Sequence, residues 1–407
     1  MTLYISFILH IYQPPTQQPS MLKKIIKESY LPLFGFLIKN PKIKMTFNIN
    51  GSLLELFEFF QEKDLIEKIK TLIYRDQIDL LGSSCYHAIL PLIPTEEIIR
   101  QIELNEEIHQ RVLGEKMIKS KGFWLPEMAY DSRVVESLLK KNYSWTAISS
   151  VATPEKQLPD NYIPILNSDF TVFFRNDLLS NYISFNQPTV DDFYQAVKGD
   201  KNPAKDDYYV ILAMDGETYG HHVKNLIEDF LEPFLNKIIN DINMRLVKVA
   251  ELPEIFHSKK KIQPYSSSWS TTDEDIQQGN PFPLWSDPHN QIHSLQLKVM
   301  NRTLSLVDQA QKIFSSSKSI SFDLKQRFNN SRCWLDQGLH SCQFWWASGR
   351  PWYSSEMILK GLNQLILSSS EALKIILNLS DNDSDKKKAL RVFDEIFEAQ
   401  KEIYLIV

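Results

Sequence analysis

Through roughly the first 250 residues, short apolar runs of strand type alternate with stretches of helical spacing, and this restricts the fold more than any other feature. The pattern predicts strands at Leu3–His10, Ile43–Ile49, Ile78–Leu81, Gly122–Leu125, Trp145–Ser149, Phe170–Phe174, Tyr208–Met214 and Arg245–Val249. Between them it predicts helices at Met21–Ile38, Gly51–Tyr74, Ser132–Lys141 and Asp191–Val197, and one that Thr95 caps and that runs to Leu113. Strands joined by helices pair in parallel through right-handed crossovers. About seven or eight such units fit a closed α/β barrel better than an open sheet, and the polar and aromatic motifs that follow the strands would share one face. Beyond Leu252 the character changes. Residues 258–289 hold a basic run, a Ser/Thr/Pro-rich stretch (263–272) and turn signals. From His289 onward only helical patterns remain, at 289–314, 322–347, 354–378 and 383–404, as in a helical bundle. The expected organisation is a barrel over 1–257, a linker or loop region over 258–288 and a bundle over 289–407.

Composition narrows the function. A chain of 407 residues with 43% hydrophobic residues can bury a large core, and its net charge of −5 without a basic block argues against nucleic acid and anionic membranes. Cys85, Cys333 and Cys342 share no metal-type spacing and fit free thiols in a reducing compartment. The apolar start, Leu3–Leu9, lacks a basic flank and a cleavage site, so it reads as a buried strand. No run approaches the ~20 apolar residues of a membrane span, and a cytoplasmic protein is expected.

The chemistry concentrates at Ala213-Met-Asp-Gly-Glu-Thr-Tyr-Gly-His-His222, directly after an apolar strand. Alternation along that strand would turn Asp215 and Glu217 the same way, roughly 6–7 Å apart at Cα. Carboxylates at the carboxyl end of a barrel strand are positioned for catalysis or ligand binding. A second carboxylate, Glu127, ends the run Gly122-Phe-Trp-Leu-Pro-Glu127. A charge in that position is costly unless it is used or paired. Two carboxylates in one cleft can divide into an ionised nucleophile and a protonated acid. His10, Tyr12 and Gln13 follow the first strand, Asn48 the second and His87 the third, and such hydrogen-bonding groups suit sugar hydroxyls. In Phe47-Asn-Ile-Asn-Gly-Ser-Leu-Leu-Glu55, Ser52 and Glu55 have capping-box spacing. Late in the chain, Trp334–Ser348 sets aromatic residues among polar ones. On a helix it would place His340, Phe344 and Ala347 on one face, with Asp336 and His340 at i, i+4.

Five segments occur in order: His10-Ile-Tyr-Gln-Pro14, Asn48-Ile-Asn-Gly-Ser-Leu-Leu-Glu55, Trp124-Leu-Pro-Glu127, Asp215-Gly-Glu-Thr-Tyr-Gly-His-His222 and Trp345-Trp346. Together they resemble glycoside hydrolase family 57, whose members act on α-glucans, from about residue 3 to about residue 355. The resemblance implies an α/β fold, a distorted (β/α)7 TIM-like barrel followed by a C-terminal α-helical bundle that closes over the cleft. It implies a retaining mechanism with Glu127 as nucleophile and Asp215 as acid/base, and no cofactor or metal. It places His10, His87 and Glu217 about the −1 subsite and makes Trp124 and either Trp345 or Trp346 sugar-stacking positions. His221, in the same segment, joins the candidate substrate-binding residues with Tyr12, Gln13, Asn48 and His340. The sequence is most similar to the compact α-amylase-like members, with an α-1,4-glucan or maltooligosaccharide as the expected substrate. The alternatives are a 4-α-glucanotransferase or branching-type transglycosylase on the same site, a non-catalytic glucan-binding protein, and a metal-dependent carbohydrate deacetylase using His10, His87 and Asp215.

Overall fold

The computed structural model describes residues 1–114, 120–199 and 206–407, which fall into two compact units. One comprises Met1–Cys85 and Leu90–Ile276, the other Tyr86–Ile89 and Gln277–Val407.

The first unit holds the strands. In chain order these are β1 (Leu3–Ile11), β2 (Met45–Ile49), β3 (Ile78–Leu80), β4 (Gly122–Phe123), β5 (Trp145–Ser149), β6 (Ile163–Asn167), β7 (Phe170–Arg175), β8 (Tyr208–Asp215), β9 (Met244–Leu246) and β10 (Lys259–Lys261). Parallel pairing gives one run, β3-β2-β1-β8, and another, β7-β5-β4. Gly82, just past β3, bridges Phe123 of β4. At the other seam the Asn176 N–H, just past β7, donates to the Ile211 carbonyl of β8 at 2.8 Å. Strands β1–β5, β7 and β8 thus close the expected (β/α)7 barrel. It is distorted. β4 has only two residues, β9 pairs with Leu3–Ile5 of β1 while β2 pairs with Ile8–Ile11, and β6 runs antiparallel to β7 with β10 outside it.

The strands read as unbroken apolar runs because both faces are covered; every residue of β2 and of β5 is buried. Ile8, Trp124, Met128, Trp145, Phe173, Ile211 and Ala213 fill the interior. The β3–β4 seam depends on two glycines. A Cβ on Gly82 would lie 2.2 Å from the Tyr143 hydroxyl, and one on Gly122 would lie 2.1 Å from the Trp145 ring.

Several local expectations are corrected. The helix expected over Gly51–Tyr74 is two, Gly51–Phe59 and Lys63–Tyr74, separated at Gln61, whose φ is 59°. Thr95 is the first helical residue and Pro94 the N-cap, so Thr95 does not cap. Ser52 and Glu55 form no capping box: Asn50 is the N-cap, the buried Ser52 hydroxyl makes no hydrogen bond among the described residues, and Glu55 lies 3.8 Å from Arg111. The basic run placed in the linker is β10, and residues through Ile276 fold with the first unit.

The second unit contains the helices Gln291–Ser316, Phe322–Gly338, Ser355–Leu379 and Asp383–Ile406. The helix expected over 322–347 stops early. Residues Tyr86–Ile89 belong to this unit; Ala88 bridges His340, and the His87 carbonyl takes the Ser341 N–H at 3.1 Å. That competition for backbone groups ends the helix at Gly338, and only a short turn, Cys342–Trp345, follows. His340, Phe344 and Ala347 therefore do not lie along one continuous helix. Among the described residues no helix is long and apolar enough to cross a membrane.

Candidate active site

The carboxyl ends of β1 and β8 meet at His10 and Asp215, whose Cα positions are directly paired. Eight consecutive pairs, Leu3 with Tyr208 through His10 with Asp215, fix that register, so the position of Asp215 follows from regular strand geometry. β8 stops there. Gly216–Thr218 form a turn, so Glu217 is not the strand-alternating partner of Asp215 that the sequence suggested. Gly220 has φ 107°, and a Cβ there would stand 2.0 Å from the Glu28 carbonyl, so only glycine lets the loop close on the segment 26–30. From that segment Tyr30 donates its hydroxyl to Glu217 Oε1, and Gln13 Nε2 donates to the same oxygen at 3.0 Å.

His10 donates from Nδ1 to Asn48 Oδ1 at 2.7 Å, which in a neutral imidazole makes Nε2 an acceptor. Its ring stacks on Trp124 with centroids 4.9 Å apart and 17° between planes, and Tyr12 lies nearly parallel at 6.1 Å.

Glu127 is mounted differently. It follows a two-residue strand and sits in a tight turn with φ 59°, and Met128 after it has φ 50°. Two successive non-glycine residues in the left-handed region are strained and persist only where surroundings hold them. The segment Ser267–Trp269 does so. Tyr130 N–H donates to Ser267 O at 2.7 Å, Ser267 N–H returns a bond at 3.1 Å, and Trp269 N–H donates to Glu127 O at 3.1 Å. The indole Nε1 of Trp269 then donates to Glu127 Oε2 at 2.8 Å. The Trp269 ring meets Trp124 edge-on at 5.7 Å, and the Arg175 guanidinium lies 5.8 Å from its centroid. Arg175, at the end of β7, is held by Ala213 O at 2.7 Å, Asp177 at 2.5 Å and Asn181 at 2.8 Å.

The charge of Asp215 acts on both other carboxyls. Burial pushes Glu127 up to about 8; the charge of Asp215 adds to the rise and the Trp269 N–H opposes it. Glu217 is also pushed up to about 8, by burial and then by Asp215. Burial raises Asp215 too, against the pull of His10 and Arg175. Burial lowers His10, with Asp215 opposing. A cluster of this kind retains protons at neutral pH, as an acid/base pair requires.

The first unit thus brings together His10, Tyr12, Gln13, Asn48, Trp124, Glu127, Asp215 and Glu217. His221 turns to Glu28, with Nδ1 2.7 Å from Oε2. His87, His340, Trp345 and Trp346 belong to the second unit. There His87 Nδ1 lies 2.8 Å from Ser341 Oγ, and the Trp345 and Trp346 rings meet edge-on at 4.8 Å. His340 is fully buried, its ring nitrogens make no hydrogen bond among the described residues, and burial depresses it to about 4. Asp336 pairs with Arg332 at 3.2 Å, not with His340. Sequence reasoning missed Tyr30, Arg175 and Trp269. Arg175 carried the signal that singled out Glu127, a charge at the end of an apolar strand. Tyr30 was hidden in an ordinary helical pattern, and Trp269 in a polar stretch.

Residues 8–265 match the model of glycosyl hydrolase family 57. The chain belongs to that family. Among proteins similar to it, alpha-amylase 1 of Dictyoglomus thermophilum is 26% identical over 248 residues, which are 58% of this chain and 35% of that protein. The 4-alpha-glucanotransferase of Thermococcus litoralis is 28% identical over 146 residues, 35% of this chain and 21% of that one. The chain therefore spans only about a third or less of the length of these two curated relatives. The GH57-type branching enzyme of Pyrococcus horikoshii superposes with a TM-score of 0.72 over 99% of this chain and 96% of its own, at 13% identity, which is a likeness of fold.

Proposed function

We propose that this family 57 chain is a retaining glycoside hydrolase acting on α-1,4-glucans such as maltooligosaccharides, with Glu127 as nucleophile and Asp215 as acid/base. One observation carries the reading: the two carboxyls follow strands of one barrel and the charge of Asp215 acts on Glu127, one under an indole donor and the other beside Arg175 and His10. In the first step Glu127 attacks the anomeric carbon, a carbon–oxygen ester bond forms, the glycosidic bond breaks, and the Asp215 proton passes to the leaving oxygen. In the second step Asp215 takes a proton from water, whose oxygen displaces Glu127 and restores the α configuration. Burial alone favours a proton on Glu127; the positive charge that develops at the anomeric carbon reverses this by favouring the ionised nucleophile. His10, Gln13, Asn48 and Glu217 are read as gripping sugar hydroxyls at this subsite, with Trp124 and Tyr12 offering ring faces.

The name of the Thermococcus litoralis relative supports a second reading on the same site, in which a sugar hydroxyl takes the place of water. Maltoheptaose incubation followed by chromatography separates the two. Shorter oligosaccharides alone mean hydrolysis, a ladder above seven units means transfer, and an unchanged substrate overturns both. In a complex with a bound glucan the two carboxyl groups should lie ~5–6 Å apart, as retention requires; a separation near 9 Å counts against the assignment. With all three cysteines free, we read the protein as cytoplasmic.

A further inference from the structure

We infer that Trp269 is the positioning residue of Glu127: its indole N–H and its backbone N–H together hold the carboxylate and the strained turn beneath it in the attacking geometry. This rests on the proposed role of Glu127 and adds a residue beyond the end of the family match at residue 265.

Three observations converge. First, both N–H groups of one residue bind one partner, the backbone one to Glu127 O at 3.1 Å and the indole one to Oε2 at 2.8 Å. Indole nitrogen only donates, and a donor bonds the ionised carboxylate more strongly than the neutral acid. Second, the turn is braced from outside as well as by its own bonds from Met128 N–H to Leu125 O at 2.8 Å and Ala129 N–H to Pro126 O at 3.0 Å. Glu127 and Met128 are both left-handed, and the 127–130 backbone finds its cross-chain partners in 267–269. Third, the indole is itself braced, edge-on against Trp124 and His10 and under the Arg175 guanidinium. Arg175 is locked by three hydrogen bonds, so the ring has little freedom to turn its donor away. The charged and titratable groups around this arrangement are Asp215 from β8, His10 from β1 and Arg175 from β7, with Glu217 acting through Asp215. Trp269 therefore favours the anion that attacks, where burial favours the acid that does not.

The test replaces the indole by a ring without a donor. In Trp269→Phe, kcat/KM on maltoheptaose should fall about ten- to a hundredfold, the worth of one hydrogen bond to a charged group, mostly through kcat. The acidic limb of its pH profile should move to higher pH, because Glu127 loses the bond that favours its anion. Since Phe also leaves a gap, benzothienylalanine at position 269 serves as the second variant; it keeps the indole shape and lacks the N–H, and it should show the same pH shift with an unchanged melting temperature. A 5-fluoroglycosyl fluoride, whose glycosyl ester hydrolyses slowly, with mass spectrometry of the labelled peptide, gives an independent readout: Glu127 should be labelled more slowly in both variants. If wild-type protein turns over maltoheptaose and is labelled at Glu127 while both variants keep its pH profile and labelling rate, the inference is wrong and the proposed function stands. A rise in KM at constant kcat also overturns it, since that marks a sugar contact. If wild-type protein is neither labelled nor active, the proposed function fails, and the inference with it.

Discussion

Asp215 and Glu127 reach the same barrel face by opposite means. Asp215 ends an eight-residue strand paired along its whole length with β1, so its place is set by backbone regularity. Glu127 follows a two-residue strand, sits in a strained turn and is held by a segment some 140 residues further along. Under the proposed roles, a group that holds and passes a proton needs no clamp beyond the regular strand that carries it. A nucleophile loses about a hundredfold for an ångström of misplacement, which is reason enough to clamp it from outside.

The comparison breaks most sharply if the two carboxyls do not differ in role. Glu127→Ala should lose at least about 10⁴-fold in turnover, as loss of a nucleophile does, and Asp215→Ala about 10²–10⁴-fold, as loss of a general acid does. Azide decides the roles. With a reactive glycosyl fluoride, Glu127→Ala plus azide should yield the β-azide by a single displacement, and Asp215→Ala plus azide the α-azide by two. Identical or exchanged anomers, read by proton NMR, would contradict the assignment.

A subtler test loosens the Glu127 mount and the loop that follows Asp215 without touching either carboxyl. Ser267→Pro removes the N–H that Ser267 gives to Tyr130, and Gly220→Ala forces a Cβ onto the Glu28 carbonyl. A fluoride leaving group needs no protonation, whereas maltoheptaose does. Ser267→Pro should therefore slow both substrates about ten- to a hundredfold, and Gly220→Ala should slow maltoheptaose far more than the fluoride. Equal effects of both variants on both substrates would mean that the mounts are not separate.

Stability separates the mounts again through pH. Glu127 titrates at about 8 in the folded chain against an ordinary 4.5. Between those values the unfolded chain gives up its proton while the folded chain keeps it, so this group destabilises the fold progressively as pH rises. Glu127→Gln removes the effect. It should melt above wild type, with a margin that grows from pH 5 to pH 8 and reaches on the order of 2 kcal/mol after allowance for partial solvent access. Thermal melts at both pH values check this, and a margin that shrinks with pH would mean that Glu127 is ionised comfortably in the fold.

The same contrast explains what the sequence made legible. Asp215 and the strand beneath it could be read because a long, regular, β-branched run announces itself locally. The barrel was readable for the same reason, repeated seven times. Glu127 was found through an apolar strand that ends on a charge, although the turn that carries it has no sequence signature. Trp269 was not found at all: its role exists only because a polar stretch returns to pair with residues 127–130, and no window of neighbouring residues contains that pairing. The break at Gly338 is a similar case, in which the residues that end the helix lie some 250 positions earlier. The capping reading of Ser52 failed for a related reason. Asn50 already stands at the N-cap, and the first helical N–H, of Gly51, is taken by Asn105 Oδ1 at 2.8 Å from a different helix.

His221 gives the smallest and most discriminating test of how far the active site extends. It lies in the same decapeptide as Asp215, and the family resemblance alone would count it as a sugar ligand. The structure gives its Nδ1 to Glu28, whose carboxyl is pulled down to about 2 by Lys224 first and His221 second. A depressed carboxyl of this kind contributes stability above the ordinary carboxylate range and loses it as pH falls towards 2. Partly exposed ion pairs contribute little. His221→Ala should therefore change kcat/KM by less than about threefold, in line with substitutions away from the chemistry, and shift the acid unfolding midpoint only slightly. A tenfold or larger rise in KM for maltoheptaose, with kcat preserved, would instead place His221 on the sugar. The loop after β8 would then bind substrate along its whole length, and the Asp215 mount would be a binding element as well as a support.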